Sequence, residues 1–383
     1  MTVQPLIVHI VHGLGAGGTE MTCLRLAKHW QSRFRQHVVA LQPGSRLLER
    51  AFDEIENCSL TIAPENYRGG FARWWWLRSL FNANSPDAVL MHVFGVPHMI
   101  AASAARSSRI KSIAVKAGNP PPKYGLSRHK WAGITLASRL LGCPIASCSA
   151  AVDQDLRNLG AGMPNHSRPL HNGIDVISIA DEAERARAQR KARPAVVGMV
   201  ARLDTIKDHK TLIEAFSLAH RKHEDCELWI IGEGELRNTL EEQARKLGIA
   251  DCTKLLGNRS DIPALLGQMD VYAFSTTPAE GFGIALIEAM AAGVAIVATD
   301  VPACREVLAD GTAGLLVPPG NAQALGEGIC ELLRNRVRRE SLAAAANIHV
   351  RREYGIEKCA ARWESLLFRN SKCLTSAVAP CVS

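Results

Sequence analysis

Short runs of Val, Ile, Leu and Ala alternate with amphipathic stretches along nearly the whole chain, and the alternation runs twice with a polar break between. A run of this kind, bounded by turn residues and too short for a helix, reads as a strand buried on both faces. The first series places strands at 6–11, 36–41, 88–93, 112–115 and 145–149, with an amphipathic helix over 19–30. The second places them at 195–200, 228–231, 254–256, 271–274, 295–298 and 314–317. Strands separated by helices pair in parallel, so each series predicts a doubly wound α/β sheet. At 383 residues the chain exceeds one ordinary core, which agrees with two domains. The polar stretch 180–193 carries the break, so the linker is placed at 179–194, with domains over 1–178 and 195–355.

Composition narrows the class. A hydrophobic content of 47% with 21% charged residues describes a soluble globular protein. The longest apolar run, 284–298, contains Glu288 and Gly293, so no membrane span is expected. The N-terminus runs straight into LIVHIVHG without a basic leader or a small-residue cleavage site, so no secretory signal is expected. Eleven cysteines lack C-x-x-C or His-paired spacing, which reads as free thiols in a reducing cytoplasm rather than a disulfide framework or a zinc site. The formal charge of +8 suits an anionic donor, an anionic acceptor or an acidic membrane surface. Nucleic acid is set aside, because no recognition-helix, finger or stacking motif accompanies the charge.

Two Gly-rich turns carry the chemistry. Gly13, Gly15 and Gly18 spell G-x-G-x-x-G between a strand and a helix, but the dinucleotide fingerprint also needs an acidic residue ending the second strand, and HVVALQPG has none. What remains is physical: Ala16, Gly17 and Gly18 leave room for a phosphate or sugar to approach the backbone. The second turn lies in PAEGFGIALIEAMAAGVAIVATD, 278–300, with Glu280 in the turn and Glu288 on the helix that opens near Ile284. Gly281 and Gly283 let N–H groups approach a ligand, and the helix dipole favours an anion such as a diphosphate. A carboxylate beside that anion suits sugar hydroxyls. Arg202 and Lys207 follow the strand 195–200, at the edge where doubly wound sheets bind ligands, and an Arg fork with a Lys point charge neutralises a diphosphate. His92 ends a strand, where a lone histidine is more often structural than a site residue. Arg73-Trp74-Trp75-Trp76, with Arg68, Arg78 and Phe71, reads as a core helix with one exposed Trp or as an interfacial anchor for an anionic membrane.

The segment 278–300, with GMVARLDTIKDHKTLIEAF at 198–216, GEGELRNTLEEQARKLGI at 232–249, GNRSDIPALLGQMDVYAFSTT at 257–277 and REVLADGTAGLLVPPGN at 305–321, resembles the E-x7-E retaining nucleotide-sugar glycosyltransferases of family 4. The N-terminal half resembles them mainly at its glycine loop and at HNGID, 171–175. The resemblance implies the GT-B fold, two Rossmann-like doubly wound parallel-sheet domains facing a central cleft, with the acceptor domain first and the nucleotide-sugar domain second. It implies a C-terminal helix, 356–370, that crosses back to the first domain, and the aperiodic tail 371–383 is expected to be disordered.

By the same resemblance Arg202, Lys207 and Glu280 form the catalytic set, the two cations clamping the pyrophosphate. Glu288 would hold the ribose, and the N–H groups of Gly281, Phe282 and Gly283 would join Glu280 on the donor sugar. Asn258, Arg259 and Ile262 would surround the base, and Gly17 and Gly18 would approach from the first domain. Family members often carry a His where this chain has Ala117-Gly118-Asn119, so the acceptor side falls to His92, Lys116 and Asn119. The implied activity moves a hexose from a UDP-, GDP- or ADP-sugar to a glycan, lipid-linked or small-molecule acceptor with retention of configuration. It needs no cofactor and no metal, since no D-x-D pair stands in a suitable loop, and it would work in the cytoplasm or at the inner face of the membrane. Two alternatives stay open. One is a catalytically silent GT-B scaffold in polysaccharide assembly, against which stand Glu280, Glu288, Arg202 and Lys207 together. The other is a GT-B sugar-nucleotide epimerase, whose acid/base set is not found.

Overall fold

A computed structural model describes residues 4–15, 17–65, 69–191 and 193–369. Ala16, Arg68 and the tail 371–383 lie outside the described residues. The chain divides into two compact units, one formed by residues up to Gly173 together with those from Ile356 onward, the other by Ile174–Gly355.

The first unit is a seven-stranded parallel sheet in the order β3-β2-β1-β4-β5-β6-β7. Its strands are β1 (Leu6–Val11), β2 (Arg35–Ala40), β3 (Cys58–Ile62), β4 (Ala88–Met91), β5 (Ser112–Ala117), β6 (Ile145–Ser147) and β7 (Arg168–Pro169). The order reverses direction between β1 and β4, which is a topological switch point. The two outer strands, β3 and β7, are absent from the sequence reading. As sheet edges they are only partly buried or exposed, so neither carries a continuous apolar run. The helix Ile356–Leu367 completes this unit's core, placing Trp363, Leu366 and Leu367 with Ile7 and Trp30. Glu364 fixes its register by accepting from Trp30 Nε1 at 2.8 Å and from the Arg33 guanidinium at 2.7 and 2.8 Å. Phe368 stacks on Phe34 with ring centroids 5.4 Å apart.

The second unit has six parallel strands in the order β10-β9-β8-β11-β12-β13. These are β8 (Ala195–Val200), β9 (Cys226–Ile231), β10 (Thr253–Gly257), β11 (Val271–Phe274), β12 (Ala295–Thr299) and β13 (Leu315–Val317). Its switch point lies between β8 and β11. The segment 179–194 is not a linker. Most of it belongs to the helix Val176–Ala188, which is N-capped by the Asp175 side chain accepting from the Ser178 N–H at 2.9 Å. Ile179 and Ala183 face inward, and the helix packs so closely that a Cβ on Gly267 would stand 2.1 Å from the Ala183 carbonyl oxygen. The polar residues read as a break are the solvent face of that helix. The second unit therefore begins at Ile174, not at 195, and its two ends meet: the Ile174 N–H donates to the Tyr354 carbonyl at 3.0 Å.

Candidate functional site

In the second unit the loops after β8 and β11 are joined into one platform at the carboxyl edge of the switch point. The Asp204 carboxylate accepts the N–H groups of Ile206 and Lys207 at 3.0 and 3.2 Å, an Asx turn that shapes the first loop. The Ile206 carbonyl accepts from the Thr277 N–H at 2.9 Å and the Thr276 hydroxyl at 3.0 Å, and the Asp208 N–H donates to the Ser275 carbonyl at 3.2 Å. These bonds carry Lys207 across to the second loop, where its ammonium is ion-paired with Glu280 and lies 5.0 Å from the centre of the Phe274 ring. Glu280 also accepts from the Phe282 N–H at 3.3 Å, and the Thr276 hydroxyl oxygen, whose proton goes to Ile206, lies 3.4 Å from it. Its carboxylate is therefore oriented before any ligand arrives.

The turn after Glu280 ends at Gly283, whose φ of 84° lies in the left-handed region. Gly283 caps the helix Ile284–Ala291, which has no acidic residue in its first turn. Glu288 stands half-buried on that helix. The two glutamates share surroundings: burial first, then the Glu288 and Glu280 carboxylates, push the Tyr272 hydroxyl far above its ordinary range. Tyr272 in turn bridges the switch point by donating to the Val200 carbonyl at 3.2 Å. Arg202 differs from Lys207. Its side chain is 72% exposed and is paired with Asp204 at 2.5 Å. An exposed pair of this kind is screened by water and exchanges readily for a more negative partner.

The structure thus brings Arg202, Lys207, Glu280, Gly281, Phe282, Gly283 and Glu288 to one edge of one sheet. Asn258 and Arg259 follow β10, at the same edge but two strands from β8. The Arg259 fork is occupied by Asp261 at 2.8 and 2.7 Å, and Ile262 opens the helix Ile262–Gly267. Sequence reasoning missed Asp204, Thr276 and Tyr272. The spacing of Asp204 two residues before Ile206 is a visible Asx-turn signal; the other two act through pairings that only the fold creates.

In the first unit Gly17 caps the helix Gly18–Trp30, and a Cβ there would fall 2.6 Å from the Glu20 carboxylate. That carboxylate takes the positive helix end, so this loop favours hydroxyl groups over phosphate. His92 and Lys116 are buried, while Asn119 is exposed on the loop after β5. One backbone carbonyl fixes a chain of tautomers. Ala27 accepts from Gln36 Nε2 at 2.9 Å, so Gln36 Oε1 must accept from His9 Nε2 at 3.2 Å. His9 Nδ1 is then bare and accepts from His92 Nε2 at 3.1 Å, which leaves His92 Nδ1 as a buried acceptor with no partner. Lys116 donates to Asn172. Cys23 comes within 4.8 Å of the ligand nitrogens of both histidines. The His9–His92 hydrogen bond already uses the facing nitrogens, and the Lys116 charge beside His92 opposes a second cation.

This burial has a pH consequence. Desolvation lowers His9 from 6.5 to about 4, against a smaller opposing effect of its Gln36 bond. His98, whose Nδ1 accepts the Gly95 N–H at 2.9 Å, is likewise lowered to about 4 by burial. Above pH 6.5 neither the folded nor the unfolded chain protonates these rings. Between 6.5 and about 4 the unfolded chain takes up protons that the fold refuses, so stability falls by about 3 kcal/mol for each ring. Imidazole resonances followed through a pH titration check this; two rings moving with midpoints near the ordinary value would overturn it.

A cavity of about 720 Å³ opens elsewhere in the first unit, lined by Asp87, Arg106, Lys111 and Ser112. It lies at the amino ends of β4 and β5, opposite the edge where doubly wound sheets hold ligands.

Two doubly wound parallel units, with cations, glycine backbone and a helix N-terminus gathered at the carboxyl edge of the second, define a GT-B protein. The model "Glycosyl transferases group 1" matches residues 180–349, and "Glycosyltransferase Family 4" matches 16–177. The chain belongs to the family 4, group 1 GT-B glycosyltransferases. It is 36% identical over 188 residues to a phosphatidyl-myo-inositol mannosyltransferase of Mycobacterium leprae, covering 48% of each chain. It is 31% identical over 173 residues to the N-acetylgalactosamine-N,N'-diacetylbacillosaminyl-diphospho-undecaprenol 4-alpha-N-acetylgalactosaminyltransferase of Campylobacter jejuni, covering 45% of this chain and 46% of that one. The matched part spans about half the length of these curated relatives. Among solved structures, Anabaena HepE in complex with UDP-glucose superposes with a TM-score of 0.82 at 20% identity, over 95% of this chain and 99% of that one.

Proposed function

We propose that the chain transfers a hexose from a nucleoside-diphosphate sugar to a hydroxyl of a lipid-linked or glycan acceptor, with retention of anomeric configuration. The observation that carries the reading is the Lys207–Glu280 ion pair, held at the switch point beside Arg202 and the glycine-capped helix Ile284–Ala291. The pair presents a cation and a carboxylate side by side, the complement of a diphosphate joined to a sugar. The names of the relatives, a phosphatidylinositol and a diphospho-undecaprenol enzyme, support a lipid-linked acceptor. The neighbour's UDP-glucose supports the donor class.

In the reaction the bond from the anomeric carbon to the diphosphate oxygen breaks, and a bond to the acceptor oxygen forms. The acceptor proton leaves with the departing diphosphate. Lys207 and Arg202 meet the charge that grows on that leaving group, and the helix N-terminus adds a fixed partial charge. Glu280 and the N–H groups of Gly281, Phe282 and Gly283 orient the sugar, and Glu288 takes the ribose hydroxyls. Asn258, Arg259 and Ile262 border the base. His92, Lys116 and Asn119 serve the acceptor side, with Gly17 and Gly18 leaving room for a sugar to approach. These cations replace a metal, so turnover is expected to be unchanged by EDTA; activity lost to EDTA and restored by Mg²⁺ or Mn²⁺ would show otherwise. A thermal-shift panel of UDP-, GDP- and ADP-sugars tests the donor reading. One donor at a hundred times its Kd raises stability by about 2.7 kcal/mol. A panel without a shift sinks the proposal.

A further inference from the structure

The Arg106 guanidinium is fixed by backbone carbonyls in the wall of the 720 Å³ cavity at the amino ends of β4 and β5. Its Nε donates to Leu141 at 2.8 Å, its Nη1 to Ile110 and Lys111 at 3.1 and 2.8 Å, and its Nη2 to Gly142 at 2.6 Å. The Ser112 hydroxyl donates to the Leu367 carbonyl, which ties the last helix, Ile356–Leu367, to the start of β5. Asp87, the one carboxylate among the lining side chains, accepts the Leu6 N–H at 2.8 Å. The frame of the cavity is therefore built before anything enters it. Its other cations take no part in that frame. Arg109, Lys111 and Arg369 line the same space, and among the described residues none of these three side chains has a hydrogen bond or an ion pair. Exposed arginines elsewhere do find carboxylates, as Arg50 does in Glu54 at 2.8 Å and Arg336 in Glu340 at 2.7 Å. Arg109 and Lys111 have no such neighbour, because the stretch 88–152 contains no Asp or Glu. Arg109 also stands at a φ of 61°, a left-handed conformation that costs free energy in a residue with a side chain.

We propose that this cavity binds a small soluble anion that carries at least two phosphoryl groups on an organic frame. Its volume falls in the range of small-molecule sites. Unpaired cations that share one cavity repel each other, and a ligand with several negative charges relieves that repulsion where a monoanion leaves most of it. Arg109 and Arg369 bring planar forks that match phosphoryl oxygens, and Lys111 brings a mobile point charge. Phe81, Ile113 and Leu366, buried apolar residues that also line the cavity, suit the carbon skeleton between the phosphates. Strain of the kind held at Arg109 is retained where a fold meets a ligand. The cavity lies in the first unit alone, at the edge opposite the carboxyl ends of its strands, so it serves neither the donor nor the acceptor of the proposed reaction. It is an effector site. Leu366, Leu367 and Arg369 come from the segment that completes this unit's core, so a bound anion joins the last helix to β5.

Calorimetric titration of the full chain with fructose bisphosphate, beside inorganic phosphate and sulfate at matched ionic strength, is the test. The bisphosphate is expected to bind about tenfold more tightly than either single anion and to slow amide hydrogen exchange along the helix Ile356–Leu367. Arg109→Asn/Lys111→Gln is expected to lower its affinity by about tenfold or more, with asparagine keeping a residue that tolerates the left-handed backbone. Lys123→Gln/Lys130→Gln removes the same charge from exposed positions outside the cavity and is expected to change affinity by less than about twofold. Lys207→Gln is expected to leave it unchanged. Should the first double variant melt early, Arg369→Gln, at an exposed position beyond the last helix, takes its place with a loss of about threefold or more. A bisphosphate that fails to bind, sulfate that binds as well, or equal losses in the two double variants overturns the assignment. So does loss of binding in Lys207→Gln, which would put the anion in the candidate donor site instead.

Discussion

Lys207→Gln is expected to lower turnover by roughly 10²–10³, the scale for losing one preorganised electrostatic contact to a developing charge. The argument rests on preorganisation. Lys207 is only 17% exposed, held by Glu280 and the Phe274 ring, so no solvent shell must be stripped from it as the diphosphate departs. Arg202, 72% exposed and paired with Asp204, must reorganise, and Arg202→Ala is expected to cost nearer tenfold. Glutamine keeps a hydrogen-bond donor toward Glu280, whereas alanine would strand that carboxylate and confound the measurement through stability. Single-turnover rates with saturating donor, with circular dichroism as a check on folding, decide the matter. Wild-type rates in Lys207→Gln would remove the ammonium from the mechanism.

Glu280→Gln and Glu288→Ala are expected to fail differently. Glu280 sits in the turn and touches Lys207, Thr276 and the Phe282 N–H, so its loss should depress sugar transfer by roughly 10². Affinity for the free nucleoside diphosphate should hold or rise in that variant, because Lys207 loses its competing carboxylate. Glu288 lies on the helix beyond the turn, and its loss should weaken nucleotide binding by about 1.5–3 kcal/mol, the range for a hydrogen bond to a charged group. Isothermal titration with the nucleoside diphosphate separates the two. Equal weakening in both variants would dissolve the division of labour.

Much of this site was readable because its parts are local. Glu280, the two glycines and Glu288 fall in one turn and one helix, and Arg202 and Lys207 fall in one loop after an unmistakable strand. The hydrogen bonds that join those loops were not readable, since Thr276 reaches Ile206 and Asp208 reaches Ser275 across some seventy positions of sequence. The central strands β8, β11 and β12 of the second unit announced themselves through continuous apolar runs, and the edge strands β10 and β13 through the short runs Leu255-Leu256 and Leu315–Val317. β3 and β7 did not, because Ser59 and Thr61 interrupt the first and the second is only two exposed residues long. The misplaced linker has the same origin: a helix that shows the solvent most of its side chains looks, residue by residue, like a break. The row of His9, His92 and Gln36 was invisible because three strands or helices contribute one polar group each.

Trp30, Phe34 and Arg33 wait in the first unit for partners that lie more than three hundred residues downstream, in Glu364 and Phe368. The second unit, by contrast, is one unbroken stretch whose ends are hydrogen-bonded to each other. On the ribosome the usual order, in which the earlier domain finishes first, is therefore reversed. The inserted unit is complete once residue 355 has emerged, while the leading one still exposes its unfilled core until the final helix follows. The second unit matures as a self-contained insert, and the unit that surrounds it in the sequence is the last to close.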